Sequence, residues 1–82
     1  PTGATAPERT EIRFENHRSH RIFLFWINDR GERVAYGQLE PGRFKIQSTY
    51  PGHVWMITDA AGYPLGHFIG RKIFGIARIS NQ

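Results

Sequence analysis

The chain has 82 residues, no cysteine, and 11 basic against 7 acidic residues, for a net charge of +4. That length suits one small domain, and the absence of cysteine excludes a disulfide scaffold and a thiolate metal site. With 2 Trp, 3 Tyr and 6 Phe it is too aromatic for a disordered segment, and no apolar run approaches the ~20 residues of a membrane-spanning helix, so no membrane partner is expected. The basic residues are scattered, with only Arg71 and Lys72 adjacent. A solvated basic surface is therefore favoured over a nucleic-acid interface. No secretory signal is visible and the one methionine is Met56, so the chain reads as a processed product or as a domain of a longer protein.

Residues 1–9, "PTGATAPER", are small, polar and proline-bearing, and read as a linker or frayed head before a domain over 10–82. "TEIRFEN" alternates, with Ile12 and Phe14 on one face and Glu11, Arg13 and Glu15 on the other, which predicts a half-buried strand. "HRIFLFWIN" is apolar on both faces: Ile22, Leu24 and Trp26 on one, Phe23, Phe25 and Ile27 on the other. Such a strand needs cover on both sides, or one side is a binding surface. "NDRG" reads as a hairpin turn, "ERVAY" as a short strand, and "GQLEPG" as a loop. "RFKIQST" predicts a strand with Phe44 and Ile46 inward and Arg43, Lys45 and Gln47 outward. A Tyr-Pro-Gly turn leads into "HVWMITD", where His53, Trp55 and Ile57 share a face. "AAGYP" is a further turn, and "LGHFIG" and "KIFGIARI" are the last strands.

About seven short strands with turn signals every 8–12 residues, and no capped helical period, define an all-β sandwich or small barrel. One short stretch also concentrates chemistry. Thr49, Tyr50, His53 and Trp55 crowd around the Tyr-Pro-Gly turn, and Trp26 lies in the most apolar strand. The plain alternative is that both tryptophans are core. Aromatic walls with a few convergent polar groups also describe a ligand pocket. Thr49, His53 and Asp59 are an unpromising catalytic set, because threonine is a rare nucleophile away from an N-terminus. No enzyme activity is expected. His17-x-x-His20 has no carboxylate or thiolate partner, so neither metal nor cofactor is expected.

Several separated motifs, in order, are similar to those of one known family. They are Asn16, Arg18 and Ser19 in an Asn-x-Arg-Ser-type turn, Trp-Ile-Asn at 26–28, Gly-Glu at 31–32, Tyr36, Leu-x-Pro-Gly at 39–42, and Thr-Tyr-x-x-His-x-Trp at 49–55. Residues 10–70 resemble the β-domain of the von Hippel–Lindau tumour suppressor family. The resemblance implies a seven-stranded β-sandwich of the prealbumin or immunoglobulin type and recognition of 4-hydroxyproline in an extended peptide. Carried over residue by residue, it implies that Thr49 and His53 bond the ligand hydroxyl and that Tyr36 donates its phenol to a peptide carbonyl. Trp26, Tyr36 and Trp55 would wall the pyrrolidine ring, the Ser48 carbonyl would accept the hydroxyproline N–H, and Tyr50 would line the groove. Ser48 stands where the animal family member has histidine, and the match weakens after Gly66. Nothing in the chain resembles the helical domain that recruits elongin C, so elongin C binding is not expected. The rival reading is a carbohydrate-binding, other-ligand-binding or purely structural module appended to a larger protein.

Overall fold

Period-two patterning dominates the folded chain. The computed structural model describes residues 8–80, so of the head assigned as a linker only Glu8 and Arg9 are described. The strands are β1 (Thr10–His17), β2 (Ile22–Ile27), β3 (Arg33–Leu39), β4 (Phe44–Thr49), β5 (Val54–Thr58), β6 (Pro64–Ile69) and β7 (Gly75–Ser80). They form a three-stranded sheet, β4-β1-β7, and a four-stranded sheet, β3-β2-β5-β6. Only β1 and β7 pair in parallel. The fold is the expected all-β sandwich of seven strands.

The core lies where the inward rows meet. Ile12 and Phe14 of β1 and Ala77 and Ile79 of β7 face Ile22 and Leu24 of β2 and Trp55 and Ile57 of β5. The Phe14 ring packs 5.9 Å from the Trp55 ring and edge-on to Phe68 at 6.0 Å, joining the two sheets. Each such aromatic, fully buried, contributes on the order of 1.5–3 kcal/mol, a large share of the stability of so small a domain. The second face of β2, with Phe23, Phe25 and Ile27, is only half-buried.

A buried polar residue ties the strand ends together. Asn16 is 1% exposed. Its Nδ2 donates to the carbonyls of His20 and Leu39, both at 2.9 Å, and its Oδ1 accepts from the Arg18 N–H at 2.9 Å. Its backbone N–H and carbonyl bond Arg43 and Gly42, also at 2.9 Å. Its side chain therefore holds the β1–β2 crossing and the end of β3, and its backbone holds the entry to β4.

Three assignments made from the sequence are corrected. "GQLEPG" is not all loop, because Gly37, Gln38 and Leu39 complete β3. A bulge between Leu24 and Phe25 leaves Tyr36 without a register partner, and Gly37 supplies the φ of 113° there. In β4 the faces are reversed. Phe44 and Ile46 are 53% and 47% exposed, while Lys45 and Gln47 are half-buried and Thr49 is buried. Thr49 turns inward, and period two then carries Lys45 and Gln47 to the same side. Lys45 keeps its charge in water at the open flank, where Nζ donates to the Tyr36 carbonyl at 2.7 Å. The Phe44 ring is covered from outside by the Arg13 guanidinium, 3.7 Å from its centroid. Finally, Lys72, Ile73 and Phe74 precede β7 rather than belonging to it.

On the outer face of the small sheet, Glu15 accepts from Arg13 at 2.7 Å, lies 2.9 Å from His17 Nε2 and 3.4 Å from Arg78. The hydrogen bonds from His17 and Arg13 hold its carboxyl below the usual glutamate range. The unfolded chain then binds the proton first as pH falls, so this stabilisation is present above about pH 4.3 and is lost as pH drops through the lower folded value. Glu15→Gln is expected to flatten the acid limb of the stability–pH curve, measured by urea unfolding across that window. Asn16→Ala strands the buried Leu39 carbonyl and is expected to destabilise by about 1–3 kcal/mol in the same assay.

Candidate functional site

The site forms where the chain leaves the small sheet at β4 and enters the large one at β5. Tyr50-Pro51-Gly52-His53 closes that crossing with a bond from the His53 N–H to the Tyr50 carbonyl at 3.1 Å. Proline second and glycine third, with φ of 90° at Gly52, are the residues of a type II turn. The turn is clamped from the far side by Gly70. The Gly52 N–H donates to the Gly70 carbonyl, and the Gly70 N–H to the His53 carbonyl, both at 2.9 Å. A Cβ on Gly70 would run into the Tyr50 carbonyl oxygen, so only glycine permits this approach. Sequence reading missed Gly70, because nothing local marks a glycine whose neighbour is the backbone of another turn.

Thr49 and Trp55 are joined beneath the turn. Trp55 is 2% exposed and Thr49 3%, and the indole N–H donates to Thr49 Oγ1 at 2.8 Å. That bond crosses from β5 to β4 and occupies an acceptor position of the threonine oxygen. The Thr49 O–H is left as a donor. His53 stacks on Trp26, with centroids 5.4 Å apart and planes at 28°, and meets Tyr50 at 5.4 Å. Tyr36, turned by the β3 bulge, packs edge-on against Trp55 at 5.0 Å.

All seven candidates, Trp26, Tyr36, Ser48, Thr49, Tyr50, His53 and Trp55, line one open cavity of about 290 Å³. Trp55 is a core residue that also borders this cavity, and Trp26 is half-buried beside it. The volume falls just under the ~300–1,000 Å³ range of small-ligand sites, a size that suits one ring rather than a large molecule. A larger cleft of about 680 Å³ near Arg18, Glu40 and Asp59 has no such aromatic set. Two further residues reach the cavity that the sequence did not single out, Arg9 and Gln47. Arg9 falls in the stretch that reads as a linker, and Gln47 on the face that reads as outward.

Other groupings from the sequence are not assembled. Asp59 lies at the opposite end of β5 from His53, and its Oδ1 caps a turn by accepting from Ala61 and Tyr63 at 3.0 and 2.9 Å. It does not orient the imidazole. His17 pairs with Glu15, and His20 Nδ1 lies 3.2 Å from Ser19 Oγ. Among the described residues no cluster of three His, Cys, Asp or Glu is placed to hold a metal ion.

A comparison with protein families finds the VHL beta domain matching residues 4–66. The chain belongs to the VHL β-domain family. Membership points to a protein-binding module, and all seven pocket residues fall within the matched span. Gly70, the clamp of the turn, lies beyond it. Gly70→Ala is expected to displace the Tyr50–His53 turn. Its signature would be altered amide shifts at His53 and Thr49, with the Phe14 core signals retained, read by NMR.

Proposed function

We propose that this VHL β-domain binds an extended peptide carrying 4-hydroxyproline, without turnover. The pyrrolidine ring enters the slot between Trp26 and Tyr36 and rests on Trp55. Thr49 donates its O–H to the ligand hydroxyl oxygen, and the ligand O–H donates to the His53 imidazole. Tyr36 donates to the peptide carbonyl. Tyr50 lines the groove beside the ring.

The observation that carries this reading is the Trp55–Thr49 bond at 2.8 Å. It leaves the threonine O–H as a donor with no hydrogen-bond acceptor among the described residues, in a cavity that His53 and the rings of Trp26, Tyr36 and Trp55 also line. Unmodified proline would meet neither group. Leaving one buried polar group unpaired costs about 1–3 kcal/mol, and about 1.4 kcal/mol is tenfold in affinity. Further support is the position of β4 at the edge of its sheet, where an extended peptide can add main-chain bonds. The Ser48 carbonyl, which would accept the hydroxyproline N–H, already accepts from Gln47 Nε2 at 3.0 Å. A carbonyl has two lone pairs, and the half-buried Gln47 amide shares it or turns aside.

The test is a titration with paired peptides identical except for proline or 4-hydroxyproline, followed by tryptophan fluorescence. The hydroxylated peptide is expected to bind on the order of 5–150-fold more tightly. His53→Ala should erase most of that preference and Thr49→Ser should keep it. Equal affinity for the two peptides would overturn the reading.

A further inference from the structure

The sandwich has a second open flank. β3 and β4 border the pocket described above; β6 and β7 are the edge strands on the other side, and no described strand pairs with their outer edges. Between them lies a groove of about 360 Å³. Ile12, Phe68 and Ala77 contribute to its lining from the core side, Ile69 and Ile76 from the surface, and Arg71 stands with them. Beside it the chain runs Arg71-Lys72-Ile73-Phe74, with Ile73 74% and Phe74 48% exposed. Ile69 and Ile76 are also exposed. Large apolar side chains gathered at one site, rather than scattered singly, mark interaction surfaces.

Charge says what kind of partner fits. Residues 60–82 contain Arg71, Lys72 and Arg78 and no aspartate or glutamate, whereas residues 1–59 hold eight cations against seven acids. Most of the net charge of +4 therefore belongs to the strands and loop that make this flank. Arg78 has a carboxylate within 4 Å, that of Glu15 at 3.4 Å; no ion pair engages Arg71 or Lys72 among the described residues.

We propose that this flank is a second docking site, for an extended peptide that alternates apolar and acidic residues. Its backbone pairs with the free edge of β7 in the manner of strand addition. Its apolar side chains fill the groove against Phe68 and Ala77, and its carboxylates meet Arg71 and Lys72. An unprotected apolar strand edge is a liability unless something pairs with it, and basic residues select an acidic partner over neutral ones. The site lies mostly beyond residue 66, outside the span shared with the family. It lies on the β6–β7 flank, connected to the Thr49–His53 pocket through Gly70, and the proposal does not rest on what that pocket binds.

The experiment is an NMR titration of the isotope-labelled domain with a short peptide alternating isoleucine and glutamate. The same peptide with lysine for glutamate, and phosphatidylserine vesicles, serve as the other arms. Saturable shifts at Ile69, Ile76 and Ala77 are expected, with no response at Tyr36. Affinity should fall with added salt. The paired surface variant Arg71→Glu and Lys72→Glu leaves the core untouched and should weaken binding at least roughly tenfold. Comparable binding of the lysine peptide, shifts confined to the Thr49–His53 pocket, or binding to the vesicles with none to the acidic peptide would each overturn the proposal.

Discussion

The hydrogen bond from the Trp55 indole to Thr49 Oγ1 is the interaction on which the rest of the site depends. It spans the gap between the two sheets at 2.8 Å, with both partners almost fully buried. In so dry a setting an unpaired indole N–H is costly, so the bond holds Thr49 inward. With Thr49 inward, period two sets the facing of every other residue of β4. Ser48, Ile46 and Phe44 turn outward, and Gln47 and Lys45 turn toward the open flank. The same bond determines which hydrogen-bonding capacity threonine keeps. An interaction that stabilises the core thus also sets the polarity of the pocket above it.

Around that bond the pocket is assembled from separate pieces of backbone geometry. The bulge in β3 brings Tyr36 against Trp55. The Pro-Gly turn brings His53 over Trp26. Gly70, from the connection between β6 and β7, locks that turn through two backbone bonds. Asn16 acts similarly at the other end of the strands, holding the crossings so that β4 enters beside β1. None of these devices is a contact between apolar side chains, yet the first three position aromatic rings. The arrangement is preorganised: its rings already touch one another, so less ordering would be required on binding.

Strand existence and strand order along the chain were legible because alternation and turn residues are local properties. Ile12 and Phe14, Ile22 and Leu24, and Trp55 and Ile57 face inward as their spacing implies. Facing failed in β4, where Phe44 and Ile46 looked like the core row. An edge strand buries little on either side, and there a tertiary hydrogen bond and a guanidinium over Phe44 outweigh hydrophobic patterning. The apolar Ile73 and Phe74 looked like strand for the same reason, and they lie instead in the exposed connection before β7. The seven pocket residues were legible mainly through family resemblance. Their residue types alone left a polar turn beside a core tryptophan equally open.

By itself the sequence determined an all-β domain of seven strands, the main inward rows and the turns between them. All of these follow from period two and from the conformational preferences of proline, glycine and asparagine. Only the tertiary structure decided which edge strands meet, that Tyr36 turns toward Trp55, that Gly70 clamps the Tyr50–His53 turn, and that Trp55 serves both core and pocket. Those features join residues far apart in the chain through backbone approaches and a single buried hydrogen bond, and such contacts have no local pattern to announce them.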